Sequence, residues 1–180
     1  MPRTHASLPR LFIEADLGVG ANLALDRGQS NYLGAVLRKQ VGEEVVVFNG
    51  RDGAWLARVA EAGKRAVTLA LAEQIAPQPA AATLWYGFAP LKTGRLDYVV
   101  QKATEMGAGI IQPVVTRFTQ VTRLRADKLR ANIIEAAEQC EVLSVPELWP
   151  EVRLDDLLGG WAERHGDRAL VFADERTPAA

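Results

Sequence analysis

A strand–helix–strand pattern in the middle of the chain constrains the fold more than any other feature of the sequence. The apolar and aromatic run at residues 84–88 has the length of a buried strand. Apolar side chains then recur at helical spacing from Leu96 to Met106, and a second apolar run covers residues 110–115. Two strands joined by one helix over so short a stretch are typical of a parallel crossover unit. The sequence therefore predicts a parallel α/β sheet.

Cationic side chains follow the carboxyl ends of both predicted strands. Lys92 and Arg95 come after the first strand, and Arg117 comes after the second. Ligands of open α/β sheets bind beyond the carboxyl ends of the strands. We therefore expect a site for an anion at this edge of the sheet. For Lys92 and Arg95 we favour this role over that of ordinary surface charges.

Cap residues indicate where three helices begin. Asp26 can cap a helix in the first part of the chain, Thr93 the crossover helix, and Asp127 a third helix. Gly107 stands where the crossover helix needs a left-handed terminator. Apolar residues of the third helix recur on one side, where we expect Cys140 to pack as a buried thiol. The other residues predicted to face inward on this helix are Leu129, Ile133, Ala136 and Ala137.

Residues 1–73 are predicted to form a small closed β-barrel that includes one helix. Short apolar runs rich in β-branched residues alternate with turns, of which NGRDG at residues 49–53 is the clearest. Strands at this spacing are typical of small barrels. The predicted strands cover residues 10–14, 21–25, 43–48, 54–59 and 66–71. Prolines and alanines mark residues 74–82 as a linker to a second domain at residues 83–180.

The last part of the chain is predicted to add a strand at residues 145–149, a helix at residues 154–161 capped by Arg153 or an earlier residue, and a strand at residues 169–172. The last of these, Ala-Leu-Val-Phe, has the composition of an interior parallel strand. No later residue could cover its free edge, and native sheets rarely leave an apolar edge exposed. We therefore expect either a partner that supplies the missing layer or a protein that continues beyond Ala180.

Composition excludes several classes of protein. The 180 residues are 48% hydrophobic and 24% charged, which is typical of a soluble globular protein. The single cysteine excludes an internal disulfide and a cysteine-based metal cage, and His5 and His165 are too few for a metal site. No apolar run reaches membrane-spanning length, and the N-terminus lacks a secretory hydrophobic region. We expect a cytoplasmic protein with no metal and no membrane segment.

Charge is distributed unevenly along the chain. A net charge of −1 and a pI of about 6.2 argue against a uniformly basic nucleic-acid binder. Residues 90–130 nevertheless carry eight Lys/Arg against three Asp/Glu, whereas residues 131–180 carry four against eleven. A local basic face can bind phosphates whatever the total charge. A solvated surface explains the same charges equally well at this point.

Three segments resemble one family, the SPOUT-class methyltransferases that modify N3 of a uridine in small-subunit ribosomal RNA. They are NYLGAVLRKQVGEEVVVFNGRDG (31–53), PLKTGRLDYVVQKATEMGAGIIQPVVTRFTQV (90–121) and ANIIEAAEQCEVLSVPEL (131–148). They cover most of the chain in the family's order, and the combination of QKATEMG with EAAEQC is the specific part. The resemblance implies a PUA-like RNA-binding barrel followed by the first part of a SPOUT domain of trefoil-knot type. It also implies S-adenosylmethionine as cofactor, small-subunit ribosomal RNA as partner and a homodimer.

The chain departs from the family's pattern in three places. Tyr32 stands where the family usually has a histidine, and Val142 where it usually has an arginine. The family's GPEGG loop and LR-E-T-A segment, which form the knot and most of the cofactor pocket, do not occur. The resemblance therefore implies that this chain lacks the knot. It also implies that the 180 residues alone are not an active enzyme. Asp174 and Glu175 are the candidates for the cofactor contacts that remain.

The resemblance and the charge pattern together indicate the candidate site residues. For RNA binding they are Arg10, Arg38, Lys92, Arg95, Lys102, Arg117 and Arg123. For shaping the target pocket they are Glu105, Glu138 and Gln139, and the catalytic residue is not identified. Structural roles remain open for each: salt bridges for the barrel arginines, a helical i,i+3 pair for Lys102 and Glu105, and backbone contacts for Glu138 and Gln139.

Methylation of uridine N3 requires the loss of a weakly acidic imide proton, so the protein must supply a base or donors that stabilise the developing anion. Two other functions remain open. One is a non-catalytic RNA-binding module, and the other is a structural α/β domain completed by a partner chain. The identification itself requires strands, and not helices, over most of residues 10–71, together with a parallel strand at residues 169–172.

Overall fold

Two sheets follow one another along the chain in the computed structural model, which describes residues 5–63, 66–119 and 124–173. The first sheet has five strands in the order β1-β3-β4-β5-β2. They are β1 (Arg10–Phe12), β2 (Asn22–Ala24), β3 (Glu44–Phe48), β4 (Ala54–Ala62) and β5 (Val67–Ala76). A 3₁₀ turn, His5–Ser7, precedes them. Strands β1 and β3 are parallel, and the other pairs are antiparallel.

The first sheet curls around a single core, as the barrel prediction requires. Buried apolar side chains come from all five strands and from the helical segment. They include Leu11, Leu23, Leu33, Val45, Val47, Ala57, Val59, Val67 and Leu69. The prediction of a closed barrel is wrong in one respect, since no pairing of β1 with β2 occurs among the described residues. These two edge strands have three residues each and offer few backbone groups for closure.

The helical segment between β2 and β3 begins where it was predicted. Asp26 caps α1 (Arg27–Asn31), and Gln29 completes a capping box: the Asp26 carboxylate accepts from the Gln29 N–H at 2.8 Å. The segment continues as a π-helical turn, Tyr32–Val36. Arg38 then adopts a left-handed conformation with φ 54°.

The second sheet confirms the parallel crossover unit. Strand β6 (Trp85–Phe88) leads through α2 (Thr93–Glu105) to β7 (Ile110–Val115), and the two strands pair in parallel. Helix α3 (Ala126–Gln139) then leads to β8 (Glu147–Leu148) and β9 (Val152–Arg153), which pair in parallel with the two ends of β7. The chain continues in α4 (Leu154–Gly159) and α5 (Trp161–His165).

Helices α2 and α3 pack on one face of this sheet. Their shared core consists of Phe88, Leu96, Val100, Ala108, Ile111, Leu129 and Ile133. Trp85 lies on the opposite face, where its ring stacks on Trp161 and meets Trp149 edge to face. No helix among the described residues has both the length and the apolar character needed to cross a membrane.

Two of the predicted N-caps are wrong. Lys92 occupies the N-cap position of α2, and Arg125 that of α3, because each has an extended backbone immediately before its helix. Thr93 and Asp127 therefore lie inside the first turn. Asp127 suits that place because its negative charge favours a helix N-terminus, and its carboxylate lies 2.7 Å from the Arg125 guanidinium.

The predicted helix ends are correct in backbone geometry but not in side-chain burial. Gly107 has φ 83° and terminates α2 as predicted. Cys140, predicted to be buried, is exposed, and Met106 is 79% exposed. Both residues are C-caps, where the backbone leaves the helical path and the side chain leaves the inward face.

The prediction of a parallel strand at residues 169–172 is wrong. Residues 169–173 have no regular structure, and Val171 is 88% exposed. A strand needs a neighbour for its backbone groups, and no strand pairing within the described part of the chain involves this segment. The expectation that a partner or further residues cover an exposed edge at residues 169–172 therefore has no basis in the structure. Of the two structural requirements for the family identification, the strands over residues 10–71 are present and this strand is not.

The other C-terminal elements are shorter than predicted. The strand expected at residues 145–149 is limited to β8, and the helix expected at residues 154–161 is divided into α4 and α5 at Gly160. Arg153 is the N-cap of α4, as predicted. Strand β5 runs to Ala76 and so enters the segment predicted as a linker.

The turn before β4 provides a test of the barrel's packing. Gly53 has φ 77°, and a Cβ there would collide with the Ala76 carbonyl oxygen. Gly20 has φ 74° with open space around it. We expect Gly20→Ala to lower the free energy of unfolding by about 1 kcal/mol through backbone strain alone. Gly53→Ala should lower it by about 3 kcal/mol or more, because the β4–β5 pairing must also shift. Urea unfolding measures both, and equal decreases would contradict the packing described for Gly53.

Candidate functional site

The predicted cations lie at the carboxyl edge of the parallel sheet. Phe88 pairs with Pro113 near the ends of β6 and β7, so the segments that follow the two strands leave from the same edge. Lys92 and Arg95 follow β6, and Arg117 follows β7. All three are exposed, and within the described residues none forms an ion pair. The Arg117 guanidinium lies 5.8 Å from the centroid of the exposed Phe118 ring. Their binding role stays a prediction.

The N-termini of α2 and α3 are joined by a carboxylate that no pattern in the sequence singles out. Asp97 accepts hydrogen bonds from Lys128 Nζ at 2.6 Å and from Asn132 Nδ2 at 2.9 Å. The Lys128 hydrogen bond is the main reason that the pKa of Asp97 lies below its usual value. Lys128 is thus paired, while Lys92 and Arg95 on the neighbouring helix turn are not. The paired and unpaired cations differ in how readily they can bind an external anion.

The two specific segments, QKATEMG and EAAEQC, meet at the C-terminal ends of α2 and α3. Glu105 accepts from Lys102 Nζ at 2.5 Å and from Gln101 Nε2 at 2.9 Å. The Lys102 hydrogen bond lowers the pKa of Glu105, and the same bond raises the pKa of Lys102. The nearby Cys140 thiol lowers the pKa of Glu105 to a smaller extent. The i,i+3 pair that the spacing allowed is therefore present, and Glu105 is ionised near neutral pH.

Glu138 connects α3 to the edge of the barrel. Its Oε1 accepts from the Phe12 backbone N–H at 2.8 Å, and Gln29 Nε2 donates to the Phe12 carbonyl at 2.9 Å. Side chains thus satisfy both backbone groups of Phe12 on the edge strand β1. Burial raises the pKa of Glu138 against the opposing effect of the Phe12 hydrogen bond. The structural alternative considered for Glu138, a backbone contact, is the one observed.

Arg10 also lies at this junction and not on an open surface. Its side chain is 11% exposed, and its guanidinium lies 5.6 Å from the centroid of the Phe48 ring. Glu141, with φ 59°, places a carboxylate oxygen 3.7 Å from Arg10 Nη1. Burial lowers the pKa of Arg10, and its Nε is buried without a hydrogen-bond partner. These contacts favour a role in joining the two sheets.

The remaining candidates are scattered. Arg38 is exposed on the barrel, and Gln139 is exposed on α3, where its amide donates to Glu135 at 3.3 Å. Arg123, Asp174 and Glu175 lie outside the described residues. Tyr32, one of the departures from the family's pattern, is 41% exposed on the π-helical turn.

Nothing in the described ranges resembles a metal site, since no group of three or more His, Cys, Asp and Glu side chains is close enough to hold an ion. Contacts between distant segments could not be predicted from the sequence. The main example is the hydrogen bond between Phe12 and Glu138, which are 126 residues apart. The sequence indicated Glu138 as a candidate site residue, but it did not indicate that Glu138 binds the Phe12 backbone.

Comparison with known proteins connects these features to one family. The model of an RNA methyltransferase domain matches residues 78–179, more than half of the chain, and includes the parallel sheet with its cationic edge. The model of an RNA methyltransferase PUA domain matches residues 25–71, within the first sheet. The match over residues 78–179 is found although residues 169–172 form no strand, so the requirement of a strand there was wrong.

Named relatives agree with these matches. The chain is 28% identical to the ribosomal RNA small subunit methyltransferase E of Rickettsia conorii over 167 residues, 92% of this chain and 66% of that protein. It is 29% identical to the protein of the same name from Synechocystis over 137 residues, 73% of this chain and 44% of that protein. The chain thus spans less than two thirds of the length of these relatives.

A solved structure leads to the same result for the fold. The ribosomal RNA small subunit methyltransferase E of Neisseria gonorrhoeae, bound to S-adenosyl methionine, superposes with a TM-score of 0.75 at 25% sequence identity. The superposition covers 84% of this chain and 64% of that one.

The junction leads to a prediction about Glu138. Glu138→Ala leaves the Phe12 N–H without its acceptor, and we expect the free energy of unfolding at pH 7 to fall by about 1–3 kcal/mol. Glu138→Gln keeps an acceptor oxygen and removes the buried charge, so its stability at pH 7 should equal or exceed that of the wild type. Urea unfolding measures both, with the exposed Glu151→Gln as a control.

The same variants should show a pH dependence of known sign. Because burial raises the pKa of Glu138, the folded state binds a proton at a higher pH than the unfolded state does. The wild type should therefore lose stability relative to Glu138→Gln as the pH rises from the usual pKa of glutamate through the raised one. Below that window the difference should disappear. A Glu138→Gln variant as unstable as Glu138→Ala at pH 7 would show that the charge itself is required.

Proposed function

The chain belongs to the RNA methyltransferase domain family, and on that premise we propose that it methylates small-subunit ribosomal RNA with S-adenosylmethionine as methyl donor. The observation that carries the proposal is the family match over residues 78–179, the same residues that form the parallel sheet and its unpaired cations. In finer detail we propose N3 of a uridine as the methylated atom and a SPOUT domain of trefoil-knot type. These finer points rest on the segments QKATEMG and EAAEQC, which meet around Glu105.

The proposed RNA contacts lie at the carboxyl edge of the parallel sheet. Lys92, Arg95 and Arg117 are exposed there and have no ion pair within the described residues, so binding a phosphate would break no ion pair. Lys128 and Lys102 differ because each is held by a carboxylate at 2.6 Å or less. The unpaired cations are therefore the phosphate ligands we propose, and Lys102 is a weaker candidate than its sequence position indicated.

Cations at this edge also suit the proposed chemistry. Methylation at N3 creates negative charge on the uridine ring as the imide proton leaves, and positive side chains stabilise that charge. Glu105 is a poor general base because its pKa is lowered by Lys102. Glu138 has a raised pKa, but its carboxylate is committed to the Phe12 N–H at the junction. We therefore assign no base to either carboxylate.

The cofactor fits the described side chains of this edge poorly. S-adenosylmethionine carries a sulfonium cation, and the three unpaired side chains here are cations themselves, which repel it. Carboxylates suit the sulfonium and the ribose hydroxyls better. We propose that the cofactor contacts lie mainly outside the described residues, with Asp174 and Glu175 as the candidates within this sequence. A homodimer and a cytoplasmic location complete the proposal.

The methyl-transfer proposal is tested by the nucleosides of small-subunit ribosomal RNA. In cells from which the gene has been deleted, mass spectrometry should show the loss of 3-methyluridine, and re-expression of the wild type should restore it. The loss of a different methylated nucleoside would overturn the N3 assignment and leave the methyltransferase assignment intact. An unchanged set of methylated nucleosides would overturn both.

The RNA-binding edge leads to a separate prediction. The variant Lys92→Ala/Arg95→Ala/Arg117→Ala should bind a small-subunit ribosomal RNA fragment more weakly, and the slope of log affinity against log salt should fall by about 0.7–0.9 for each phosphate that is no longer bound. Fluorescence anisotropy between about 50 and 200 mM salt measures the slope. The matched control, Arg51→Ala/Arg58→Ala/Arg164→Ala, removes the same charge elsewhere. If both triple variants behave alike, the carboxyl edge is not the binding surface.

A further inference from the structure

Phe118 is the most exposed aromatic side chain in the described part of the chain. At 83% exposure its ring contributes little to either hydrophobic core. A single exposed apolar residue is common on protein surfaces and carries no argument by itself. Its surroundings are less common, because Phe118 follows β7 at the carboxyl edge of the parallel sheet, on the same side as the segment with Lys92 and Arg95.

A closed turn holds Arg117 and Phe118 at its tip. The Thr119 N–H donates to the Thr116 carbonyl at 3.1 Å, and the Thr119 Oγ1 accepts from the Thr116 N–H at 2.9 Å. The two threonine hydroxyl oxygens lie 3.1 Å apart and share a further hydrogen bond. Arg117 and Phe118 are the two central residues of this turn, and both are exposed. Because the turn is held by its own hydrogen bonds, little conformational freedom is lost when a ligand binds at the tip.

The Arg117 guanidinium lies over the Phe118 ring, 5.8 Å from its centroid. The cation is attracted to one face of the ring, and the high exposure of Phe118 leaves the other face open. Arg117 forms no ion pair with any described residue, so its charge is available to an anion. An open aromatic face beside an unpaired cation matches the two parts of an unpaired nucleotide, its flat base and its phosphate.

Two other exposed aromatic side chains lack this combination. Tyr98 on α2 is 61% exposed, and Lys102 Nζ lies 5.7 Å from its ring centroid, but Lys102 is already paired with Glu105. Phe172 is 71% exposed and contacts no cation among the residues that the structure describes. Within residues 5–63, 66–119 and 124–173, Phe118 alone combines an open ring face with a cation that no carboxylate neutralises.

We propose that Phe118 stacks on an unpaired base of the RNA substrate while Arg117 binds a neighbouring phosphate. The inference rests on the proposed function and adds a base contact to it, since cations alone bind the phosphates of paired and unpaired RNA alike. Bases in a duplex are already stacked on their neighbours, so the ring accepts a base only outside a helix. Every base has a π-face, and the contact therefore selects unpaired RNA without selecting a sequence. Phe118 is a positioning residue and takes no part in bond making.

The binding test compares two labelled RNAs by fluorescence anisotropy: a single-stranded fragment of small-subunit ribosomal RNA and a hairpin duplex of equal charge. Phe118→Leu keeps an apolar side chain but loses the π-face, so single-strand binding should weaken about five- to 150-fold, the range for one base–aromatic stack. The salt slope should stay at its wild-type value because no phosphate contact is lost. Duplex binding should not change, and Phe118→Trp should bind the single strand at least as tightly as the wild type.

Nuclear magnetic resonance reports the stack directly. In the complex with the single strand, ring protons of Phe118 should show nuclear Overhauser effects to protons of one base, and those base protons should shift upfield. The chain has five phenylalanines, and the ring signals that disappear in Phe118→Leu identify the residue. Tyr98→Leu is the matched control, because it removes an exposed ring beside a neutralised cation, and it should leave affinity and these signals unchanged. Equal losses of affinity in Tyr98→Leu and Phe118→Leu would overturn the proposal.

The outcomes separate this inference from the proposed function. If Phe118→Leu binds the single strand like the wild type while the triple variant at Lys92, Arg95 and Arg117 loses its salt slope, Phe118 contacts no base and the proposed function stands. If Phe118→Leu weakens the duplex equally or lowers the salt slope, the ring acts through Arg117 and not through a base. A lower free energy of unfolding, or an altered sedimentation rate, of RNA-free Phe118→Leu would show that the ring packs on protein and would overturn the stack. If the wild type binds neither RNA, the proposed RNA contacts fail together with it.

Discussion

The hydrogen bond from the Phe12 backbone N–H to Glu138 joins the two sheets at the edge of the barrel. Strand β1 is an edge strand, and its unpaired N–H and carbonyl would otherwise require water at a junction between two cores. Glu138 from α3 accepts from the N–H, and Gln29 from α1 donates to the carbonyl. A helix of the methyltransferase domain thereby completes the barrel's edge. The Glu138 bond crosses between the two domains, and the ion pairs of Arg10 with Glu141 and of Arg130 with Glu14 join them beside it.

The junction between the two sheets contains the charged side chains of Glu138 and Arg10, and burying their charges is unfavourable. Burial raises the pKa of Glu138 and lowers that of Arg10, so each ionised form is less favoured than it would be in water. Glu141 approaches Arg10 only from a left-handed backbone conformation. Replacing such groups with apolar ones often preserves stability, whereas removing one partner leaves a buried group unsatisfied. The junction therefore contributes more to the specific orientation of the two domains than to their net stability.

The sequence predicted elements formed by neighbouring residues and missed contacts between distant ones. Apolar spacing located the β6–α2–β7 unit, and the cap residue Asp26 located the start of α1. The same reasoning failed at Cys140, because periodicity does not show where the backbone leaves the helical path. It failed at residues 169–172 because an apolar run becomes a strand only beside a partner.

Charge placement explains how a protein with a net charge of −1 could select one orientation on a polyanion. The unpaired cations Lys92, Arg95 and Arg117 occupy one edge of one sheet, while residues 131–180 hold eleven acids against four Lys/Arg. A uniformly basic protein binds a polyanion on any face, whereas acidic segments repel a polyanion from the faces that carry them. Because Glu138, Arg10 and Arg130 join the barrel to the helix and loop of the second domain, RNA held at the proposed edge would meet the barrel at a defined place.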